Sequence, residues 1–121
     1  MTTDLTVSLL LCLALVASAQ APATLSDLVA AGAELVQLPG EYRFTEGAAV
    51  APNGDVYFTD IPNNRSHRIG LAGAVSVFAE DTGAANGLMF LPDGHLYAMA
   101  NALKQIVRYE PAGKVEVVAS N

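Results

Sequence analysis

Two polar side chains with hard oxygen atoms, Glu46 and Asn86, stand at equivalent places in the sequence and suggest a site for a divalent cation. They lie 40 positions apart, and a glycine follows each of them. A carboxylate and an amide oxygen suit Ca²⁺ and Mg²⁺, and Zn²⁺ also accepts a carboxylate. The spacing alone leaves another interpretation open, in which Glu46 is a solvated loop acid and Asn86 is a turn residue bonded to its own backbone.

The offset of 40 residues continues along the chain, so Glu46 and Asn86 belong to a repeat. The turn Pro52-Asn53-Gly54 returns as Pro92-Asp93-Gly94. Identical residues keep the same offset elsewhere, among them Tyr57 and Tyr97, Arg68 and Arg108, Gly73 and Gly113, Val75 and Val115. Repeats of about 40 to 50 residues built from short strands and turns are typical of β-propeller blades. The expected fold class is therefore all-β, a β-propeller.

Each repeat predicts four strands, because short apolar runs are bounded by Pro, Gly, Asn or Asp. The expected strands are 48–51, 56–59, 66–69 and 75–78, then 88–91, 96–99, 106–109 and 115–118. In a propeller the blades surround a central channel. Glu46 and Asn86, just ahead of the first strand of each blade, are expected to point into that channel. A two-layer sandwich also fits the strand pattern, although the fixed register favours a ring of repeated units.

The first residues predict a secretory signal peptide. Residues 5–17 are nearly all apolar and end in Ala17-Ser18-Ala19, a small-x-small cleavage pattern, so residues 1–19 are expected to be removed. The segment before them carries Asp4 and no basic residue, which leaves an uncleaved membrane anchor as the alternative. The expected localisation is export to the periplasm or the exterior.

The sequence after the signal peptide divides into an N-terminal linker region and two repeats. Residues 20–43 are interpreted as a linker with a helical turn near Ser26 and a strand at 35–38, and residues 44–121 as the first two blades. A blade needs a neighbour on each side to bury its faces, so the chain is expected to be the front part of a longer propeller.

Charge and cysteine content exclude some classes of partner. The formal net charge is −6, and no basic stripe occurs, which argues against nucleic acid and against an anionic membrane surface as partners once the signal is removed. The one cysteine, Cys12, lies within the predicted signal peptide, so no disulfide is expected.

Three stretches carry a family resemblance: FTEGAAV at 44–50, GDVYFTDIPNNR at 54–65 and ANGLMF at 85–90. In this order they resemble the opening blades of the SMP-30/gluconolactonase/LRE-like family. The resemblance covers roughly residues 25–121. The family usually has proline after the Glu-Gly pair, whereas this sequence reads Glu46-Gly47-Ala48. That departure affects backbone stiffness more than ligand chemistry.

The resemblance implies a six-bladed propeller with an axial divalent metal that binds a lactone or sugar-acid substrate. It assigns Glu46 as a metal ligand, and it leaves Asn86 as a substrate-binding or channel-lining residue. In such an enzyme the metal polarises the lactone carbonyl and activates a water molecule. The implied function is divalent-metal-dependent lactone hydrolysis by a gluconolactonase-like enzyme. A non-catalytic binding or scaffold propeller and an inactive gene fragment are the alternatives.

Other polar residues are expected to be structural. Asp60 follows a strand and is interpreted as a turn residue, with a channel-facing role as the alternative. His67 and His95 have no partner at zinc-like spacing and are expected on the surface. The sequence Asn64-Arg65-Ser66 matches a glycosylation sequon but is interpreted as an ordinary loop.

Overall fold

The computed structural model describes residues 24–110 and 113–121. The predicted signal peptide lies outside the described residues, so its cleavage and the export that depends on it stay predictions. The chain divides into two compact units, Met1–Val36 and Gln37–Asn121.

The described part of the first unit contains one short helix, α1 (Leu25–Leu28). Thr24 donates from its backbone N–H and from its hydroxyl to Asp27 Oδ2, at 2.6 and 2.9 Å. This is the arrangement of a capping box, in which a side chain of the first turn reaches back to the residue that begins the helix. The helical turn therefore begins earlier than the predicted Ser26 start. No helix in the described part of the chain is both long and apolar enough to span a bilayer.

The strand expected at 35–38 does not form. These residues have no strand partner, and Leu35 and Val36 are exposed. Four residues of alternating pattern do not make a strand unless a neighbouring strand supplies the hydrogen bonds of a ladder.

The second unit consists of two four-stranded antiparallel sheets with strands in sequence order. The first sheet contains β1 (Thr45–Val50), β2 (Val56–Asp60), β3 (Arg65–Ile69) and β4 (Val75–Glu80). The second contains β5 (Ala85–Phe90), β6 (Leu96–Ala100), β7 (Gln105–Tyr109) and β8 (Val115–Ser120). A 3₁₀ turn, Asn101–Leu103, follows β6. These eight strands confirm the predicted all-β class and the blade-like repeat.

The repeated Pro-x-Gly turns connect the first two strands of each sheet, as the sequence predicts. The Gly54 N–H donates to the Ala51 carbonyl at 2.8 Å, and the Gly94 N–H donates to the Leu91 carbonyl at 2.9 Å. Both glycines have positive φ, 90° and 80°, a conformation that costs glycine little because it has no Cβ.

The two sheets share one apolar core. Its buried members are Ala79, Ala85, Leu88, Leu96, Ala98, Ala100, Val107 and Tyr109. Aromatic rings extend this core across the junction: Tyr57 of the first sheet packs edge-on against Phe90 of the second at 5.3 Å, and Phe78 packs against Tyr109 at 5.4 Å. Face-to-face packing of successive sheets is the arrangement of neighbouring propeller blades, and it fixes the position of β1 relative to β5.

Candidate functional site

The first strands of the two sheets, β1 and β5, lie side by side and bring Glu46 and Asn86 together. Each is the second residue of its strand, because both strands begin earlier than the predicted starts at 48 and 88. The Asn86 amide Nδ2 donates to Glu46 Oε1 at 2.5 Å. The two residues that the repeat places in register are therefore in direct contact, although their roles as metal ligand and substrate contact stay predictions.

A β-bulge sets the direction of the Glu46 side chain. Glu46 pairs with Thr59 and Ala49 with Tyr57, so two residues of β1 oppose one residue of β2. Because of this extra residue, Glu46 and Ala49 lie on the same face of the sheet although they are three positions apart. That face packs against the second sheet, and bulges commonly redirect side chains beside functional sites.

The same bulge recurs in β5, and both bulges begin with a glycine. Asn86 pairs with Met99 and Met89 with Tyr97. Gly47 and Gly87 have φ of 62° and 60°. A Cβ on Gly47 would lie 2.9 Å from Asn86 Oδ1 and 3.1 Å from the Gly87 nitrogen. Glycine at position 47 therefore provides both the left-handed backbone and the space for Asn86.

The orientation of the Asn86 amide follows from its two contacts. Its Oδ1 accepts the Gly87 N–H at 2.6 Å, and its Nδ2 donates to the Glu46 carboxylate. A flipped amide would set an oxygen against the carboxylate and an NH₂ group against an N–H, and both contacts would be repulsive. Asn86 thus directs its NH₂ group, and not its amide oxygen, toward the Glu46 carboxylate.

Buried polar residues of β2 support the backbone around Glu46. The Thr59 hydroxyl donates to the Glu46 carbonyl at 2.9 Å, and Thr59 is fully buried. The Asp60 carboxylate accepts the backbone N–H groups of Arg43 and Phe44 at 3.1 to 3.3 Å and the Asn63 amide at 2.7 Å. These bonds fix the chain as it enters β1.

Asp60 is a structural residue, but it does not occupy the turn that the sequence suggests. It is the last residue of β2, pairs with Thr45 and is fully buried. Burial on its own would raise the pKa of the Asp60 carboxyl. The hydrogen bonds from Phe44, Asn63 and Arg43 outweigh that effect and lower the pKa below its usual 3.8.

His67 is not on the surface, and this expectation was wrong. Its side chain is 8% exposed, stacks on Phe58 at 5.1 Å and meets the edge of Tyr42 at 5.2 Å. Because Phe58 and His67 pair across β2 and β3, their rings share a face, and Tyr42 covers them. A cleft of about 540 Å³ borders this cluster. Sequence spacing could not reveal the burial, because the covering residue lies far from His67 along the chain.

His95 also has carboxylate neighbours that its sequence spacing did not suggest. Its ring is one third exposed and lies between Asp93 and Glu110, with N···O distances of 3.6 and 3.7 Å. Even so, the described residues contain no group of three or more His, Cys, Asp or Glu side chains able to hold a metal ion.

The described residues therefore do not form a complete metal site. Calcium takes six to eight oxygen ligands, whereas this part of the molecule offers the carboxylate of Glu46, which is exposed and already bonded to a donor. Glu46 fits the role of one ligand within a larger set.

Two supporting residues escaped the sequence analysis. Thr59 holds the Glu46 carbonyl, and Asn64 bonds the chain that leads into β5. The sequence pattern that could have indicated a structural role for Asn64 is the turn dipeptide Asn63-Asn64, because asparagine tolerates positive φ. The φ of Asn64 is indeed 54°. Of the loop predicted at the sequon, only Asn64 lies in a turn; Arg65 and Ser66 are the first two residues of β3, and Ser66 is fully buried.

Comparisons with known proteins bear on the fold. No protein-family model matches the sequence, and no curated protein matches it significantly. Among solved structures, a candidate gluconolactonase is 32% identical, with 74% of this chain and 32% of that chain covered and a TM-score of 0.68.

Two further structures are similar in fold. A gluconolactonase from Xanthomonas campestris is 18% identical, with 67% of this chain and 28% of that one covered and a TM-score of 0.64. The calcium-binding protein regucalcin from Agrobacterium tumefaciens is 23% identical, with 71% and 32% covered and a TM-score of 0.57. At these identities the likeness concerns the fold alone. A virginiamycin B lyase from Staphylococcus aureus shares it too.

The chain spans about a third or less of the length of these structures, 28 to 32%. The structural neighbours of this chain are thus gluconolactonase-like and regucalcin-like β-propeller proteins, which confirms the resemblance that its motifs predicted.

Proposed function

We propose that this chain contributes Glu46 to the metal site of a lactone-hydrolysing propeller and Asn86 to its substrate-binding wall. The observation that carries the proposal is the 2.5 Å contact between the Asn86 amide and the Glu46 carboxylate. Two groups from successive sheets converge there on one point. The 32% identity to a candidate gluconolactonase supports a lactone as the substrate class.

Each residue has a defined part in this proposal. Glu46 supplies one oxygen ligand to a Ca²⁺, Zn²⁺ or Mg²⁺ ion whose other ligands come from outside this pair. A bound ion of this kind polarises a lactone carbonyl and lowers the pKa of a water molecule. Asn86 orients the Glu46 carboxylate through one amide hydrogen, and its second amide hydrogen binds a hydroxyl or ring oxygen of the substrate.

Hydrolysis of aldonolactones by the full-length protein, with and without a chelator, tests the proposal. In Glu46→Gln the amide has nearly the shape of the carboxylate but lacks its charge, so we expect chelator-sensitive hydrolysis to fall by about 100-fold or more, as when a group that stabilises developing charge is removed. Glu80→Gln is the matched control, because Glu80 is an exposed acid of the same sheet that pairs with Arg65 at the surface.

The two residues should affect different kinetic constants. At saturating metal concentration, Asn86→Ala is expected to raise KM more than it lowers kcat, since it removes a substrate contact while excess metal offsets the loss of the hydrogen bond that orients Glu46. Lactone hydrolysis that is indifferent both to the chelator and to Glu46→Gln would contradict the metal mechanism.

A further inference from the structure

The segment that joins the two sheets, residues 81–84, has an unusual backbone. Asp81, Gly83 and Ala84 all have positive φ, between 52° and 67°. For Asp81 and Ala84 this left-handed conformation is unfavourable, so it persists only where surrounding contacts enforce it. The segment leads directly into Ala85, the residue before Asn86, and its shape therefore decides where Asn86 lies.

Asn64, in the turn between β2 and β3, supplies those contacts. Its Oδ1 accepts the Ala84 N–H at 2.9 Å and the Thr82 hydroxyl at 3.3 Å, and its backbone carbonyl accepts the Thr82 N–H at 3.3 Å. The Thr82 hydroxyl in turn accepts the Ala85 N–H at 3.4 Å. Asn64 and Ala84 are half-buried, whereas Thr82 and Ala85 are buried, so the end of this chain of bonds next to Asn86 is shielded from water.

The second repeat provides an internal comparison. Lys104 lies 40 positions after Asn64 and has the same left-handed backbone, with φ of 53°. Its carbonyl likewise accepts a backbone N–H, from Asn121 at 3.3 Å. A lysine side chain has no acceptor atom, however, and cannot make the bonds of Asn64 Oδ1. Both repeats therefore have the left-handed backbone turn, but only Asn64 adds a side-chain acceptor, and that acceptor bonds the junction that precedes Asn86.

We propose that Asn64 is a positioning residue, which holds the start of β5 so that the Asn86 amide meets the Glu46 carboxylate. The inference rests on the proposed function for its consequence, since a displaced Asn86 would leave Glu46 without its orienting donor. Thr59 and Asp60, at the end of β2, fix the Glu46 strand. The β2–β3 hairpin therefore sets both halves of the site.

The substitution Asn64→Gly tests this role in the full chain. Glycine keeps the left-handed backbone without cost and removes the acceptor, so it separates the side-chain contacts from backbone strain. We expect the NMR chemical shifts of the Asn86 side-chain amide to move, and the affinity for Ca²⁺ measured by calorimetry to fall by about 10-fold, as for partners that orient a metal ligand. Asn64→Asp retains an acceptor and should restore both values.

Asn53→Gly is the control. Asn53 lies in the β1–β2 turn, at the other end of the same sheet, and loses two hydrogen bonds of its own with Asp55 in the same substitution. Both measured values should stay at their wild-type levels. This control shows whether a general loss of stability in the first sheet, without a change at the junction, moves the Asn86 amide.

The two measurements separate this inference from the proposed function. If the full-length wild-type protein binds none of Ca²⁺, Zn²⁺ and Mg²⁺, the metal role of Glu46 fails, and the Asn86 amide signals still decide whether Asn64 positions it. Unchanged Asn86 signals in Asn64→Gly overturn the positioning role, whatever the Ca²⁺ affinity. If Asn64→Gly does not fold, Thr82→Val removes the linking hydroxyl instead, and unchanged Asn86 signals in that variant overturn the inference equally.

Discussion

Glu46 and Asp60, two carboxylates at the end of the β1–β2 pair away from the connecting turn, have opposite environments. The Asp60 oxygens are buried and accept hydrogen bonds from Arg43, Phe44 and Asn63. Glu46 is exposed, and its carboxylate is bonded to Asn86. A carboxylate that is already satisfied by the backbone contributes stability, whereas an accessible one can bind a cation. Of the two acids, Glu46 is thus the one suited to chemistry.

At the same scale, the burial of His67 predicts how the free energy of unfolding depends on pH. Burial lowers the pKa of the His67 imidazole; the nearby Asp60 carboxylate raises it, Arg65 lowers it, and the net result lies below the ordinary 6.5. The unfolded chain therefore takes up the proton more readily. His67 contributes stability that is complete above about pH 6.5 and is lost as the pH falls toward the folded-state pKa.

Urea unfolding at several pH values between 7 and 5 measures this effect. As the pH falls, protonation of His67 should decrease the free energy of unfolding of the wild type by up to about 1.4 kcal/mol per pH unit. His67→Phe, which keeps an aromatic ring between Phe58 and Tyr42, should flatten the slope. The pKa of Asp60 is lowered below 3.8, so its own loss of stability falls at lower pH. Equal slopes in wild type and His67→Phe would refute the assignment.

At the scale of the element, Gly47, the glycine that begins the bulge of β1, permits the close approach of β1 and β5. Substitution of Gly47 by alanine is expected to lower the free energy of unfolding more than the same substitution at Gly73. Gly73 has positive φ as well, 81°, but a Cβ there would meet nothing within 4 Å. Alanine at either position must adopt the left-handed backbone, which costs about 1 to 2 kcal/mol. Alanine at position 47 must also displace Asn86.

Urea unfolding and the NMR signals of Asn86 compare the two variants. Gly73→Ala should lower the free energy of unfolding by about 1 to 2 kcal/mol and leave the Asn86 amide signals in place. Gly47→Ala should cost more and shift those signals. Equal costs, with Asn86 undisturbed in both variants, would show that β1 and β5 do not need the close approach.

Much of the element pattern could be predicted from the sequence, because each strand is a short apolar run between turn residues. The 40-residue register likewise predicts that Glu46 and Asn86 occupy equivalent places in successive blades. The start of β1 and β5 was missed, since Glu-Gly and Asn-Gly read as loops, whereas a bulge lets a strand continue through them. The burial of His67 and the bonds of Asn64 depend on Tyr42 and on residues 82–84, which no local pattern connects to them.

At the scale of the whole molecule, the two sheets are held together by side chains on their facing sides, and β6 shows this most clearly. In β6, Leu96, Ala98 and Ala100 are buried against the first sheet, while Met99 is 50% exposed on the other face. Glu46 and Asn86 meet only while this packing holds, so the geometry of the site depends on the core between the sheets.

A pair of substitutions on β6 tests that dependence. Leu96 is 3% exposed, and Leu96→Ala should cost about 2 to 5 kcal/mol through lost burial and the cavity left behind. Met99→Ala, on the opposite face of the same strand, should cost about 1 kcal/mol or less. Thermal or urea unfolding measures both. Similar costs for the two substitutions would contradict a shared core on the Leu96 face.

The paired bulges also bear on the origin of this chain. An extra residue headed by glycine occurs at the same register of β1 and β5, which is simplest if one ancestral unit already carried the kink before the gene segment was duplicated. Each copy then inherited a polar side chain at the same register of its first strand. Divergence to Glu in one copy and Asn in the other turned two identical modules into complementary ones without any change of backbone.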